Sequence, residues 1–140
     1  MEILLDQDFA ETTEVLAAVR AAVRAACQRT SHGEPCSEEC SEQVVLAINE
    51  ACMNVIQHGY RFAGGQHFKL RLAVDDAVLV AYLLDNGLPA SDADLRPREF
   101  DELRPGGLGV RFMRELMDSV AYVEAPQSFT NCLQLSKRIY

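Results

Sequence analysis

The sequence predicts an α+β fold, a two-layer α/β sandwich in which helices cover one face of a mostly antiparallel sheet. Two long segments repeat apolar residues every three or four positions, as amphipathic helices do. Two adjacent segments have strand patterns and are joined by a tight turn, as in a hairpin. The order of elements, β-α-α-β-β-loop-α-β-β, implies this architecture, and we expect residues 1–140 to form a single domain.

The N-terminal half contains one predicted strand and two predicted helices. Residues 2–6 form a short strand, and residues 11–29 form a helix with an apolar face. Residues 30–40 are rich in Ser, Gly, Pro and Glu, which indicates a loop or a helix start. A second helix is predicted over residues 41–58, with Gly59 as its stop. Its apolar stripe consists of Val44, Val45, Ile48, Cys52, Val55 and Ile56.

The C-terminal half begins with the predicted hairpin. Residues 66–75 alternate apolar and polar side chains, which predicts a half-buried strand, and residues 77–84 are more continuously apolar, which predicts a buried one. Residues 85–106 are rich in Pro, Gly and Asp, and a loop of this length in a compact domain is often a functional lid. The remaining elements are a helix and two strands, at residues 107–117, 119–125 and 131–138.

The charge balance and the short apolar runs exclude several classes of function. The net charge is −8 and the pI is about 4.8, so the chain repels phosphate backbones and we expect no direct nucleic-acid binding. Every apolar run is interrupted well before the roughly 18 residues that a membrane-spanning helix needs. The acidic N-terminus, MEILLDQDFAE, lacks the features of a secretory signal. We therefore expect a cytoplasmic protein without a membrane segment.

Three polar side chains on the second predicted helix form the first candidate motif. Glu50, Asn54 and His58 are spaced by four residues, so they lie on one face of a regular helix, away from the apolar stripe. Polar faces of helices are usually only solvated, so this spacing by itself is compatible with an ordinary surface.

Two further motifs contain glycine. Asp85-Asn86-Gly87 ends an apolar strand and is either a turn or a carboxylate held at the edge of the core, where the backbone of Gly87 can approach a ligand closely. Residues 104–109, RPGGLG, precede a predicted helix and form either a flexible loop or a helix start that offers free N–H groups to phosphate. The GxxxxGK[ST] and GxGxxG motifs of P-loop and Rossmann sites are absent.

Taken together and in this order, the three motifs resemble the GHKL ATPase superfamily, which has the Bergerat, or histidine-kinase-like ATPase, fold. More narrowly, the chain resembles the anti-sigma-factor serine/threonine-protein kinases. AINEACMNVIQHGY resembles the N box of that family, LLDNGLPA its first glycine box, GGLGVRFMRELMDSVAY its second, and NCLQLSKR its closing strand. The resemblance extends from about residue 10 to the end of the chain.

The resemblance implies a role for each motif in binding Mg-ATP. Asn54 would coordinate Mg²⁺, Glu50 would be the general base, and His58, in the same box, would belong to the nucleotide site. Asp85 would accept a hydrogen bond from the adenine amino group, and Gly87 would line the base pocket. The phosphates would be bound by the second glycine box and its flank, namely Arg104, Gly106, Gly107, Leu108 and Gly109.

Two features of the resembling segments concern the rim of this site. A lid over residues 90–105 would carry Arg96 and Arg98 as further phosphate partners, together with Arg104. At Cys132 the sequence departs from relatives, which often place a threonine near adenine in this strand region.

The resemblance also implies a regulatory function. An anti-sigma-factor kinase phosphorylates a serine on a STAS-type anti-sigma antagonist and sequesters a sigma factor, and it acts as a homodimer. The alternative readings are an ATP-binding partner-switch regulator with little or no kinase turnover, and a detached sensor-kinase ATPase domain. The sequence does not separate binding from catalysis, because both use the same pocket.

The cysteines raise one separate possibility. There are five, and the odd number argues against a disulfide framework. A zinc site could use four soft ligands within residues 27–40, namely Cys27, His32, Cys36 and Cys40. The spacing lacks the usual CxxC pairs, and Cys27 lies on the apolar stripe of the first helix, where a free cysteine is simply a small apolar residue.

Overall fold

A computed structural model of the chain describes residues 1–29, 36–95 and 107–139. It consists of a five-stranded sheet in the order β1-β2-β3-β5-β4, in which every neighbouring pair is antiparallel, with α-helices packed on one face. The predicted two-layer α+β sandwich is therefore confirmed. The elements are β1 (Glu2–Ala10), α1 (Val15–Cys27), α2 (Glu38–Asn54), β2 (His67–Asp75), β3 (Val78–Asp85), α3 (Gly107–Leu116), β4 (Ser119–Val123) and β5 (Asn131–Arg138).

The first elements differ from the prediction at their ends. β1 continues to Ala10 because it pairs with β2 along its whole length, with one irregularity between Ile3 and Leu5. The predicted strand over residues 2–6 was too short, since the polar stretch that follows is an edge strand with exposed side chains. The helix predicted over residues 11–29 begins only at Val15.

α2 begins earlier than predicted, at Glu38 rather than at residue 41. Ser37 is its N-cap, and its hydroxyl accepts a hydrogen bond from the Cys40 N–H at 3.2 Å. Glu38 and Glu39 are acidic residues in the first turn, and their negative charges stabilise the helix by interacting with the positive end of its dipole. The predicted loop or helix start at residues 30–40 thus includes a true helix start, and residues 30–35 lie outside the described ranges.

The C-terminal end of α2 departs from a regular α-helix. After Asn54 the chain continues as a π-helical turn, Val55–Gly59, in which Tyr60 N–H donates to the Val55 carbonyl at 2.8 Å. A π-helical turn accommodates one extra residue, so the four-residue spacing that aligns side chains on an α-helix does not continue beyond Asn54. The straight polar face predicted for the helix over residues 41–58 therefore ends there.

The core lies between the inner face of the sheet and the helices. The alternation predicted for the second strand is confirmed, because Phe68, Leu70 and Leu72 are fully buried while the residues between them are more exposed. The Phe68 ring stacks on Phe9 of β1 with ring centroids 5.8 Å apart. The other large side chains that are fully buried on helices and strands include Val19, Val23, Val44, Ile48, Leu79, Leu83, Met113 and Leu135.

The described beginning of the long loop after β3 contacts the core. It contains a 3-10 turn, Asp92–Leu95, whose Leu95 side chain is buried. Asp92 Oδ1 accepts a hydrogen bond from Tyr122 N–H at 2.7 Å, and the Leu95 carbonyl accepts one from Arg114 Nε at 2.9 Å. Several residues of the predicted site lie outside the described residues, namely Arg96, Arg98, Arg104 and Pro105 of the lid and Gly106 of the second glycine motif.

Two further features of the chain follow from its helices and thiols. Within the described ranges, no helix combines the length and the apolar character that crossing a bilayer needs. All five cysteines are free thiols, so no disulfide stabilises the fold.

Replacing Phe68 tests the packing of the core. Because Phe68 is fully buried, Phe68→Ala is expected to lower the free energy of unfolding by about 3–5 kcal/mol. Phe62 is 67% exposed, so the control Phe62→Ala is expected to change it by about 0.5 kcal/mol or less. Urea unfolding followed by circular dichroism measures both values, and equal losses would contradict this description of the core.

Candidate nucleotide-binding site

The start of α3 packs against the polar face of α2. A Cβ atom added at Gly109 would lie 2.9 Å from Glu50 Oε2 and 3.7 Å from Asn54 Oδ1. Both side chains on α2 are partly buried. The second glycine motif and the helix motif, which are far apart in sequence, therefore meet, and a side chain at position 109 would have to displace the Glu50 carboxylate.

This contact places polar groups of both helices on a common surface. α3 begins at Gly107, and the first N–H groups of an α-helix have no partner within the helix. They also carry the positive end of the helix dipole, which attracts anions. Glu50 and Asn54 contribute oxygen atoms next to this helix start. Oxygen ligands of this kind suit Mg²⁺, which retains several waters when it binds proteins, so the residues present fit a magnesium ion at Asn54.

Asp85 ends β3 and is buried, with only 4% of its surface exposed. Its Oδ1 atom accepts two hydrogen bonds, from Gly87 N–H at 2.8 Å and from Asn131 Nδ2 at 3.0 Å. Among the described residues, no hydrogen bond reaches Oδ2. Burial raises the pKa of the Asp85 carboxyl, and the hydrogen bonds from Asn131 and Gly87 oppose that rise. The site thus contains a carboxylate with one oxygen occupied and one available.

The backbone at Gly87 touches the end of the π-helical turn. A Cβ at Gly87 would lie 2.7 Å from the carbonyl carbon of Gly59. This distance is shorter than the contact distance of two carbon atoms, so a side chain at position 87 would require the backbone to move. Leu88 N–H also donates to the Gly59 carbonyl at 3.1 Å. This close approach connects the end of β3 to the helix that carries Glu50 and Asn54.

The two contacts lie along one continuous helical segment. Asn54 and Gly59 are separated by roughly 7 Å along the axis, at about 1.5 Å per residue. A ligand that follows this segment would meet Asp85 at one end and the start of α3 at the other. The arrangement suits an elongated molecule with a hydrogen-bond donor at one end and anionic groups at the other.

Tyr60 is a supporting residue that the sequence analysis missed. Its hydroxyl donates to the His67 carbonyl at 2.6 Å and accepts from Asn86 N–H at 2.9 Å. Burial raises the pKa of this phenol, so it remains a neutral donor. Its position directly after His58-Gly59 was visible in the sequence, but nothing there indicated that it would hold the first glycine motif.

The other predicted site residues have different placements. His58 lies on the π-helical turn with an exposed side chain, and no hydrogen bond joins it to another described residue. Gly107 and Leu108 form the first turn of α3. Arg104 and Gly106 lie outside the described residues.

Cys132 is on the opposite face of the sheet from Asp85. It pairs with Leu84, whereas Asn131 pairs with Asp85, and successive side chains of a strand point to opposite faces. The residue of this strand that contacts Asp85 is therefore Asn131. The sequence contained a signal for it, since Asn131 shares its face with the buried Leu133 and Leu135.

The cysteine cluster near the start of α2 does not form a metal site in the part of the chain that is described. There, no group of three or more His, Cys, Asp or Glu side chains is arranged to bind a metal ion. Cys36 N–H donates to the Cys27 carbonyl at 3.2 Å, and burial raises the pKa of both thiols. Cys40 is partly exposed, and His32 lies outside the described residues. The zinc hypothesis has no structural support in these ranges.

A family comparison agrees with this geometry. The sequence profile of the histidine kinase-like ATPase domain matches residues 9–137. The chain belongs to the histidine kinase-like ATPase domain family. The resemblance carried by the three motifs is thereby confirmed at the level of the family.

Curated relatives of this ATPase domain are serine-protein kinases. The chain is 32% identical over 83 residues to the serine-protein kinase RsbW of Bacillus subtilis (strain 168). The matched segment covers 54% of this chain and 52% of the relative. The RsbW of Bacillus velezensis has the same identity and coverage, and that of Bacillus pumilus is 33% identical over 85 residues. The chain spans about half the length of the curated relatives it matches.

The contact between the Gly87 and Gly59 backbones predicts that alanine at position 87 destabilises this ATPase domain more than alanine at position 59 does. Gly87→Ala is expected to lower the free energy of unfolding by about 1–3 kcal/mol, because its Cβ would overlap the Gly59 backbone. Gly59→Ala is the control at the same contact, since its Cβ would meet no atom closer than 3.8 Å. Thermal and urea unfolding measure both variants. An equal effect of the two substitutions would contradict the described approach.

Proposed function

We propose that this chain is an anti-sigma-factor serine/threonine-protein kinase, which binds Mg-ATP, phosphorylates a STAS-type anti-sigma antagonist and sequesters a sigma factor. The contact of Gly109 with Glu50 and Asn54 carries the proposal, because it unites a candidate base, a metal ligand and a phosphate-binding helix start. Membership of the ATPase family and the likeness to serine-protein kinases support it.

ATP would bind along the segment from Asp85 to the start of α3. Asp85 Oδ2 would accept a hydrogen bond from the adenine amino group, and the backbone at Gly87 would line the base pocket. Asn54 would hold Mg²⁺, which neutralises phosphate charge when bound. The α3 N-terminal turn would donate N–H groups to the phosphates, and it consists of Gly107, Leu108 and Gly109.

Glu50 would act as the general base of phosphoryl transfer. Its carboxylate accepts the proton of the substrate serine hydroxyl, the serine oxygen bonds to the γ-phosphorus, and the bond to the bridging oxygen of ADP breaks. The close approach of Gly109 restricts where this carboxylate can lie. Positioning of this kind supplies a large share of catalysis in phosphoryl transfer.

The remaining residues of the proposed site stay predictions. Arg104 and Gly106 are assigned to the phosphates on the resemblance alone, since they lie outside the described ranges. His58 is assigned to the nucleotide on the same basis, and its exposure leaves it accessible to a ligand.

The partners would be proteins. A net charge of −8 suits a basic protein surface and disfavours direct nucleic-acid binding. The protein would act in the cytoplasm, because sigma factors and their antagonists act there. It would act as a homodimer, on the basis of the resemblance alone.

The experiment that tests this function combines ATP binding with phosphoryl transfer. Calorimetric titration with Mg-ATP is expected to give similar affinities for the unmodified protein and for Glu50→Gln. With radiolabelled ATP and the cognate STAS-type antagonist, Glu50→Gln is expected to slow transfer by about 100- to 10,000-fold. Glu39→Gln, the same change in the exposed first turn of α2, is the control and is expected to retain transfer.

Each outcome of this experiment separates one part of the proposal. Absence of binding heat with Mg-ATP would overturn the nucleotide site. Binding without transfer by the unmodified protein would overturn the kinase and favour a partner-switch regulator. Full transfer by Glu50→Gln would refute the assigned base.

A second test uses the contact between α3 and α2. In Gly109→Ala the new Cβ would displace the Glu50 carboxylate, and transfer is expected to fall by roughly 100-fold. Stability is expected to stay unchanged or to rise by up to about 1 kcal/mol, because alanine favours the helix and the flexible carboxylate can move aside. Single-turnover transfer and urea unfolding measure the two effects. Unimpaired transfer would show that the carboxylate does not act from this position.

A further inference from the structure

We infer that Asn131 is a positioning residue that makes the proposed site selective for 6-amino over 6-oxo purines by orienting the Asp85 carboxylate. The inference rests on the proposed ATP-binding function, since it concerns how the same pocket distinguishes bases. Asn131 opens β5 directly opposite Asp85, and only 6% of its surface is exposed. Three polar or charged residues are buried among those described, namely Ser41, Asp85 and Asn131. Two of these three, Asp85 and Asn131, are hydrogen-bonded to each other.

The orientation of the Asn131 amide is fixed by three hydrogen-bond partners, each of which is either a donor or an acceptor. Nδ2 donates to Asp85 Oδ1 at 3.0 Å and to the Leu88 carbonyl at 2.9 Å. Oδ1 accepts from Ala90 N–H at 2.9 Å. A flipped amide would direct its oxygen at two acceptors and its NH₂ group at a donor, so this network determines the orientation.

The network determines which oxygen of Asp85 is available to a ligand. Gly87 N–H and Asn131 Nδ2 both bind Oδ1, which leaves Oδ2 as a free acceptor within the described part of the site. A free acceptor binds the amino group at position 6 of adenine. A purine with a carbonyl oxygen at that position would bring two acceptors together, and a buried acceptor without a donor is costly.

Asn131 also favours the ionised form of Asp85, which cannot donate a hydrogen bond. Burial raises the pKa of Asp85, and the influences of described residues that oppose this rise are the hydrogen bonds from Asn131 and Gly87. The titratable side chains that sense its charge are Tyr60, Tyr122 and Cys132, and burial raises the pKa of each, that of Tyr122 to about 12. Without the Asn131 donor, a protonated Asp85 could donate to a 6-oxo purine, and the carboxyl could rotate.

The test compares two nucleotides that differ only at position 6. Dissociation constants for Mg-ATP and Mg-ITP are measured by calorimetry at neutral pH. The unmodified protein is expected to prefer ATP by at least roughly 100-fold. Asn131→Leu, which has a similar size but no donor, is expected to reduce this ratio by at least roughly tenfold. Asn131→Thr, which restores a donor, is expected to recover part of it.

Tyr60→Phe is the matched structural control. It removes the hydroxyl that holds Asn86 N–H and the His67 carbonyl, so it loosens the same turn without removing a donor to Asp85. It is expected to weaken binding of both nucleotides equally and to leave the ratio unchanged. A purely structural role for Asn131 predicts the same pattern for Asn131→Leu.

The outcomes distinguish the inference from the proposed function. Binding of neither nucleotide by the unmodified protein overturns both. Equal binding of ATP and ITP overturns the inference and the proposed adenine contact of Asp85, but not the proposed kinase activity. An Asn131→Leu ratio that matches the unmodified protein overturns the inference alone. If Asn131→Leu does not fold, Asn131→Ala is measured in its place with the same expected loss of selectivity.

Discussion

The close approach of two glycine backbones, one to the C-terminal part of α2 and one to the π-helical turn that follows it, is the constraint on which the candidate site depends. Gly87 lies against Gly59, and Gly109 lies against Glu50 and Asn54. Neither contact leaves room for a side chain without displacing backbone or a polar group. The helix thereby becomes the common surface to which two distant segments attach, and their polar groups converge along it.

The buried Asp85 carboxylate is a potential binding group that lowers the stability of the folded protein at neutral pH. Its pKa is raised above the ordinary value of 3.8 in the folded protein, so the folded state binds a proton more tightly than the unfolded chain. The free energy of unfolding therefore decreases as the pH rises from about 3.8 through the raised pKa, and the ionised carboxylate is a cost at neutral pH. Hydrogen bonds from Asn131 and Gly87 reduce that cost while one oxygen stays free.

Features that depend on one element and its core were predictable from the sequence, whereas features that depend on pairing between elements were not. Alternation along β2 and the helical stripe of α2 identified buried faces correctly, because each pattern reflects one element against one core. The length of β1 was underestimated, since an edge strand with exposed polar side chains has no alternating pattern and is fixed by pairing with β2. The π-helical turn at Val55–Gly59 was also missed, because its residues read as a continued α-helix. Asn131 shares its strand face with the buried Leu133 and Leu135, but nothing in the sequence indicated that its partner would be Asp85.

The sequence by itself determined the order of the elements, the residues of the core and the chemical types available to a site, because helical and strand periodicities are local properties. Only the tertiary structure decided which of those residues meet. Asn131 and Asp85 are 46 positions apart and share a hydrogen bond through strand register, and Gly109 reaches Glu50 through helix packing. Register and close packing join segments distant along the chain, and such contacts leave no periodic trace in either segment.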